Sequence, residues 1–184
     1  VTDAHGCTVS DTPRMYNPLI VEIQVRDSIS CYGRLDGRLA AVFAGGVGAP
    51  HDFEWFKKDR EGHFRKTGAN DSILYGVADG EYRVSVRDRS DSLAVSDVFV
   101  FRHPDSLQLQ FRHHFPLCKH DANGWTEALA DGGTTPYRYY WEDIDREDAA
   151  LRAGLEDGVY KAVVTDRRGC VASATDTLTQ PDSL

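Results

Sequence analysis

Four cysteines, Cys7, Cys31, Cys118 and Cys170, carry the most specific chemistry in this chain. A cysteine can form a disulfide, bind a soft metal ion or act as a nucleophile. Cys7 and Cys170 each follow a glycine directly, as expected in a turn. The serines lack the Gly-x-Ser-x-Gly pattern of hydrolase nucleophiles, and paired carboxylates carry little meaning among 29 acidic residues. We therefore expect a protein that is not an enzyme.

Histidines and acidic residues offer two candidate metal sites. His113 and His114 are neighbours on a predicted strand, so their side chains point to opposite faces, and with His120 and Asp121 they fit no standard zinc motif. The acidic stretch at 142–148 could offer oxygen ligands to calcium, but it lacks the glycine turn and closing glutamate of an EF-hand loop. We expect no cofactor, with calcium as the open alternative.

A locally basic and aromatic segment follows Trp55. Such side chains favour contact with a glycan or a protein, and the alternative interpretation is a longer solvated hairpin. The candidate ligand-contact residues are Phe56, Lys57, Lys58, His63, Phe64, Arg65 and Lys66.

The chain contains an internal repeat. The sequence Val-Val-Thr-Asp-Arg-Arg-Gly-Cys at 163–170 repeats Val-Thr-Asp-Ala-His-Gly-Cys at 1–7, and residues 84–92 are a third version in which Ser92 replaces the cysteine. A period near 80 residues predicts tandem modules.

Other segments recur in the same order. His-Pro-Asp-Ser-Leu at 103–107 returns as Gln-Pro-Asp-Ser-Leu at 180–184, and Cys31 returns as Cys118. The first copy is longer by eight residues within 56–70, and a length difference of this kind belongs in a surface loop. We predict two repeats, at 18–103 and 104–184, behind a C-terminal remnant of a preceding repeat at 1–17.

Alternation of apolar and polar residues predicts strands, bounded by Asp-Gly, Asn-Gly and Gly-Gly turns. Their cadence is typical of an antiparallel sandwich, so the expected fold class is all-β, with two tandem immunoglobulin-like antiparallel β-sandwiches. Residues 145–153 could instead form a short helix, since acidic residues begin a fair helix sequence. The strands predicted in the second copy lie near 107–114, 125–130, 137–142, 149–153, 158–166 and 170–179.

Two aromatic pairs favour structural roles. Trp55 and Trp141 lie on the third strand of their copies, where a large side chain fills the space between sheets. Tyr82 and Tyr160 follow Asp-Gly closely and resemble a tyrosine corner, in which the hydroxyl binds nearby backbone. For both pairs the alternative is an exposed role in stacking on a ligand.

Charge and hydropathy exclude two classes of function. The net charge is −8, and no basic stripe offers the surplus of Lys and Arg that holds a phosphate backbone. No run approaches the roughly 18 apolar residues that would span a bilayer. We expect neither a nucleic-acid partner nor direct membrane insertion.

The motif order resembles a known family. The chain contains, in this order, Pro-x-x-Leu, Cys, Asp/Asn-Gly, Gly-Gly, Pro-Tyr-x-Tyr-x-Trp, Leu-x-x-Gly-x-Tyr, Val-x-Asp-x-x-Gly-Cys and Gln-Pro-x-x-Leu. This order resembles that of the SprB-type repeat of Bacteroidetes gliding-motility and cell-surface adhesins. The second copy carries nearly the whole pattern, whereas the first departs from it at Phe53, at Ser92 and in the loop after Trp55. The resemblance implies a protein exported by type IX secretion to the cell surface, an extracellular location, and neighbouring repeats of the same chain as partners.

An extracellular location favours disulfides over free thiols. Cys118 could pair with Cys170 within the second copy, and Cys7 with Cys31 across adjacent copies. In an immunoglobulin-like sandwich, however, the turn after the first strand and the turn before the last lie at opposite ends, about 26 Å apart, whereas bridged Cα atoms lie within about 7 Å. This favours Cys31 with Cys170 as a clamp between modules, and Cys118 with Cys170 stays open.

We therefore predict a non-enzymatic stalk, spacer or adhesin segment, with gliding motility as the implied process and a surface glycan or protein as a candidate ligand. Two alternatives remain: an accessory ectodomain of a larger secreted enzyme or sensor, and a carbohydrate-binding module.

Overall fold

The computed structural model describes residues 17–50, 52–118, 121–143 and 149–180. In these ranges the chain is all-β, with antiparallel strands and no helix, which confirms the predicted fold class. Within them no helix is long and apolar enough to cross a membrane. The predicted remnant at 1–17, except its last residue, and the cysteine it contains lie outside the described residues.

The first repeat forms two sheets. One has the strand order β1-β2-β5, and the other has the order β4-β3-β6-β7 with β8 also paired to β6. The strands are β1 (Ile20–Asp27), β2 (Gly37–Ala44), β3 (Asp52–Lys58), β4 (Phe64–Lys66), β5 (Ile73–Val77), β6 (Gly80–Arg87), β7 (Leu93–Val95) and β8 (Phe99–Phe101).

The second repeat has the same plan, and its described residues contain no counterpart of β4. Its sheets have the orders β12-β10-β9 and β11-β13-β14, so first, second and fourth strands share one sheet, as in immunoglobulin-like sandwiches. The strands are β9 (Gln108–His114), β10 (Gly124–Asp131), β11 (Arg138–Trp141), β12 (Leu151–Leu155), β13 (Gly158–Thr165) and β14 (Val171–Leu178).

These six strands agree with the prediction, apart from shifts of one or two residues at most ends. The helix considered for 145–153 does not form over its described end, because Leu151 and Arg152 pair with Glu127 and Thr126 of β10. The alternation expected of a strand is present along β10, where Thr126 and Ala128 are buried and Glu127 between them is half-buried.

A tryptophan fills the core of each repeat. Trp55 on β3 and Trp141 at the end of β11 are both fully buried. Each indole N–H donates to a backbone carbonyl at 2.8 Å, Trp55 to Asp71 and Trp141 to Ala149. The structure thus places both indoles in the interior with their polar atom satisfied, as burial requires.

The two tyrosines lie at the start of equivalent strands. Tyr82 on β6 is buried, and Tyr160 on β13 is half-buried. The Tyr160 hydroxyl donates to the Glu156 carbonyl at 3.0 Å, which is the geometry of a tyrosine corner. Burial raises the pKa of Tyr160.

Two compact units make up the fold. The first contains the described residues up to Gln24, with Ala41–Ser72 and Tyr82–Phe99. The second contains Val25–Ala40, Ile73–Glu81 and the chain from Val100 onwards. Because neither unit is continuous in sequence, the boundaries at 18–103 and 104–184 stay a prediction.

Candidate functional site

A disulfide between Cys31 and Cys170 is the central feature of the second compact unit. Cys31 lies in the loop after β1, and Cys170 lies directly before β14, with Cα atoms 5.7 Å apart. The predicted pairing is confirmed. Pairing of Cys118 with Cys170, and of Cys7 with Cys31, is wrong because each of the bonded cysteines already has its partner. Cys118 is free and exposed, so its assignment as a bridging cysteine of this chain is corrected.

The position of Cys118 explains why it does not reach Cys170. The His113 ring lies 3.0 Å from the Asp176 carboxylate, so the end of β9 is beside the far end of β14. Cys170 is six residues before Asp176, which corresponds to about 20 Å along a strand at roughly 3.3 Å per residue. A disulfide needs Cα atoms within about 7 Å. The two cysteines therefore lie at opposite ends of the second sandwich.

Asp166 organises the turn that carries Cys170. Its carboxylate accepts the N–H groups of Arg168 and Cys170 through Oδ1, both at 2.8 Å, and that of Thr134 through Oδ2 at 2.8 Å. One buried side chain thus joins the turn before β14 to the Gly-Gly turn after β10. These three hydrogen bonds hold the two turns together.

Two glycines permit this arrangement. Gly169 has a φ of 82°, a left-handed conformation that side chains with a Cβ rarely adopt. At Gly133 a Cβ would lie 2.8 Å from Asp166 Oδ2, closer than real contacts allow. Both glycines therefore serve the aspartate-centred turn. Asp166, Gly169 and Cys170 belong to the repeated motif Val-x-Asp-x-x-Gly-Cys, whereas Gly133 comes from the Gly-Gly turn.

The loop of Cys31 is shaped by a second aspartate. Asp36 accepts the Ser30 N–H at 3.0 Å and also binds the Ser30 hydroxyl. This hydroxyl contact holds the pKa of the Asp36 carboxyl below its usual value. Within the loop, the Arg34 N–H donates to the Cys31 carbonyl at 3.1 Å. The cysteine is thus held inside a tight, hydrogen-bonded loop.

Further contacts accompany the bridge. The Arg168 guanidinium donates to the Ile29 carbonyl at 2.8 Å, and the Cys170 sulfur lies 3.3 Å from the Ser30 carbonyl oxygen. A cleft of about 350 Å³ lies beside the bond, with Tyr32 and Leu107 among its lining residues. A covalent link over 139 residues of sequence stabilises the folded chain by about 5 kcal/mol in the chain-entropy description. The arrangement performs a structural role, because it ties two loops that are remote in sequence.

The first repeat has the same turn without the cysteine. The Asp88 carboxylate accepts the N–H groups of Ser92 at 2.9 Å and Val47 at 2.7 Å, in the positions of Cys170 and Thr134. Asp91 occupies the glycine position with a φ of 62°. The turn therefore forms without a disulfide, and the aspartate rather than the thiol builds it.

The proposed ligand-contact segment forms the β3–β4 hairpin, and several of its basic groups bind neighbouring side chains. Arg65 pairs with Asp59 at 2.9 Å, and Lys66 pairs with Glu54. The Lys57 ammonium lies 5.4 Å from the centre of the Tyr82 ring.

The two phenylalanines of the segment also have neighbours within the chain. Phe64 lies under the Arg83 guanidinium, and Phe56 is opposite Lys66 in the hairpin. These internal contacts reduce the charge that the hairpin presents to a ligand, and ligand contact stays a prediction.

One group of possible metal ligands also lies in this hairpin, namely Asp59, Glu61 and His63. The Asp59 carboxylate accepts the N–H groups of both other residues, at 3.0 and 2.8 Å, and the hydrogen bond from Arg65 lowers its pKa. These bonds close the hairpin turn and account for the cluster without an ion.

The predicted calcium stretch is described only at its start. Glu142 pairs with Lys161 at 2.6 Å, and Asp143 pairs with Arg152, so cations of this chain bind both carboxylates. Residues 144–148 and His120 lie outside the described residues.

His113 is exposed on β9, and its ring reaches a buried polar pair, Asp176 and Thr126. Its ring binds the buried Asp176 carboxylate, which also accepts the Thr126 hydroxyl at 2.6 Å. His114 faces the other way and stacks on Trp125. Sequence reasoning missed this buried polar group, because its members are far apart in the chain. For Asp88 and Asp166, by contrast, a signal existed: an aspartate occurs in all three copies of the turn motif.

Comparison with known proteins supports the fold. No protein-family model matches the chain, and no curated protein matches it. Among solved structures it is similar to the three N-terminal domains of the Highly Immunogenic Outer Capsid protein (Hoc) of bacteriophage RB49, with a TM-score of 0.57 and 19% identity over 89% of this chain and 59% of that one. A 282-residue C-terminal fragment of intimin, solved with the intimin-binding domain of its translocated receptor, has a TM-score of 0.42 and 13% identity, over 86% of this chain and 64% of that one. The chain thus spans less than two thirds of the length of both.

Proposed function

We propose that this chain is a load-bearing segment of a non-enzymatic, extracellular repeat protein, working as a stalk, spacer or adhesin segment at a cell surface. The observation that carries the proposal is the extent of chain enclosed by the Cys31–Cys170 bond. Every strand from β2, which begins at Gly37, to β13, which ends at Thr165, lies between the two cysteines. Of the strands in the described part of the chain, only β1 and β14 lie outside this loop.

This connectivity has a mechanical consequence. Tension applied to the two chain ends reaches Cys31 and Cys170 and then passes through the covalent bond. The residues between them bear no tension while the bond is intact. Tension can peel away β1 and β14, but it cannot extend the intervening strands. Both Trp-centred cores, at Trp55 and Trp141, have their tryptophan inside this protected loop.

The disulfide strongly restricts how far the chain can be extended. Taking the 139-residue separation from the 184 residues leaves 45 that tension can extend. At roughly 3.6 Å per extended residue these correspond to about 160 Å, against about 660 Å for the whole chain. A spacer with such a bond resists lengthening even when its outer strands detach.

An extracellular location is supported by the bond itself, because disulfides persist in oxidising compartments and are rare in the cytosol. Assignment to SprB-type repeats, with type IX export and gliding motility, is supported by the order of sequence motifs from Pro104 to Cys170. The acidic net charge of −8 favours solubility of a long repeat array.

Single-molecule pulling between the two termini tests the mechanical role. The oxidised chain should extend to about 160 Å, and the reduced chain or Cys31→Ser should extend to about 660 Å. Cys118→Ser is the matched control and should behave as the oxidised parent. Release of the full contour length by the oxidised parent would overturn the proposed role.

A further inference from the structure

Cys118 lies in a loop that repeats the hydrogen bonding of the Cys31 loop. The Asp121 N–H donates to the Cys118 carbonyl at 3.1 Å, as the Arg34 N–H does to Cys31. The Leu117 N–H donates to Asn123 Oδ1 at 3.1 Å, and its counterpart is the bond from the Ser30 N–H to Asp36. The free cysteine thus occupies the position that is bonded in the first repeat.

A second observation is independent of the cysteine. The loop beside Cys118 exposes two large apolar side chains, Phe115 at 43% and Leu117 at 63%. Together with Pro116 and Thr179 they line a largely apolar cleft of about 380 Å³. Such surface on a loop favours a macromolecular partner.

The Cys31 loop, which is the disulfide-bonded counterpart of the Cys118 loop, indicates what kind of partner this surface takes. At Cys31 the partner is a turn of the form Asp-x-x-Gly-Cys, in which Asp166 orients the cysteine and Arg168 donates to the Ile29 carbonyl. At Cys118 the carbonyl of Pro116 has the sequence position that Ile29 has in the first repeat. A turn of the same kind would find an equivalent acceptor and an equivalent thiol there.

We propose that Cys118 forms a disulfide with the Asp-x-x-Gly-Cys turn of a further copy of this repeat, so that the bond between Cys31 and Cys170 is one link of a series. This inference rests on the proposed function and deepens it by naming the partner. In such a series each repeat offers a loop cysteine to one neighbour and a turn cysteine to the other. Ser92 marks a link that the first repeat cannot make through its own turn.

The bond forms by thiol–disulfide exchange with a small disulfide such as oxidised glutathione. The Cys118 thiolate attacks one glutathione sulfur, forms a mixed disulfide and releases one glutathione thiolate. The thiolate of the incoming cysteine then attacks the Cys118 sulfur and releases the second glutathione. Two protein thiols are thereby oxidised, and one glutathione disulfide is reduced to two glutathione molecules.

The test extends this chain after Leu184 with a second copy of residues 108–184, which keeps the register because Gln180–Leu184 replaces 103–107. The loop cysteine of the added copy is changed to serine, so that Cys118 is the only loop cysteine besides Cys31. The protein is oxidised with glutathione, alkylated and digested with trypsin under non-reducing conditions. The peptide 113–119 should be found linked to the C-terminal peptide of the added copy.

A matched variant changes the turn cysteine of the added copy to serine. Cys118 should then be alkylated, while the bond between Cys31 and Cys170 is unchanged. Alkylation of Cys118 in the extended chain, or its recovery only as a glutathione adduct, would overturn the inference. Rapid proteolysis of the added copy alone would also overturn it, because the loop must accept a following repeat. The pulling result on the unextended chain is unaffected by any of these outcomes.

Discussion

The carboxylate of Asp166 accepts the backbone N–H of Cys170 at 2.8 Å, and the carboxylate of Asp88 accepts that of Ser92 at 2.9 Å. The same bond thus forms whether the residue bears a thiol or a hydroxyl. In both repeats an aspartate-centred turn presents this residue, directly before β7 in the first and directly before β14 in the second. A disulfide is added only where the residue is cysteine.

The left-handed conformation of Gly169 gives the first prediction. Gly169→Ala should lower the free energy of unfolding by about 1–2 kcal/mol, because an L-residue at a φ of 82° is strained. A Cβ at this position would meet no atom within 4 Å, so the loss reports backbone strain alone. Urea denaturation of the oxidised protein measures it.

Gly158→Ala is the control for that substitution. A Cβ there would lie 3.5 Å from the Tyr160 hydroxyl oxygen, an ordinary contact distance. Its unfolding free energy should stay within about 0.5 kcal/mol of the parent. Equal losses in the two variants would show that the conformation of Gly169 is not the cause.

Asp88 should make the stability of the fold depend on pH. Its pKa is lowered to about 2, chiefly by the hydrogen bond from the Val47 N–H. An unfolded aspartate has a pKa of about 3.9. Since the folded value is the lower one, the ionised carboxylate stabilises the fold above about pH 4, and this contribution is lost as the pH falls towards 2.

Thermal unfolding between pH 2 and 7 checks this expectation with Asp88→Asn. The variant should melt at a lower temperature than the parent at pH 7, and the difference should shrink as the pH approaches 2. The exposed Asp97→Asn is the control and should follow the parent. A difference that is constant with pH would contradict the assigned role of the carboxylate.

Much of this fold could be predicted from the sequence because local patterns determine it. Alternation placed the strands of the second repeat, and the repeated turn motif located Cys170 at a module end. The distance between the two ends of a sandwich favoured Cys31 over Cys118 as its partner.

Contacts between residues far apart in sequence could not be predicted in the same way. The pairing of His113 with Asp176 joins β9 to β14, which belong to different sheets of the second repeat. The strand β4, with the ion pairs of Arg65 and Lys66, likewise depends on how an inserted loop folds back on β3. Such contacts follow from tertiary packing rather than from periodicity.

The buried carboxylate of Asp176 leads to a prediction about Thr126. Thr126→Val removes the hydroxyl that donates to Asp176 at 2.6 Å and keeps the side-chain volume. A buried carboxylate that loses a donor should cost about 1–3 kcal/mol of stability. Thr177→Val, at an exposed position on β14, is the control and should be nearly neutral. Equal stability of the two variants in urea denaturation would show that the hydroxyl contributes nothing.

The most direct test of the central claim is tryptic mapping of the native chain without reduction, after alkylation of free thiols. Trypsin places each cysteine in its own peptide: 1–14, 27–34, 113–119 and 169–184. The structure predicts a linked pair of 27–34 and 169–184, with Cys118 alkylated in 113–119. A linked pair of 113–119 and 169–184, or alkylation of both Cys31 and Cys170, would contradict it.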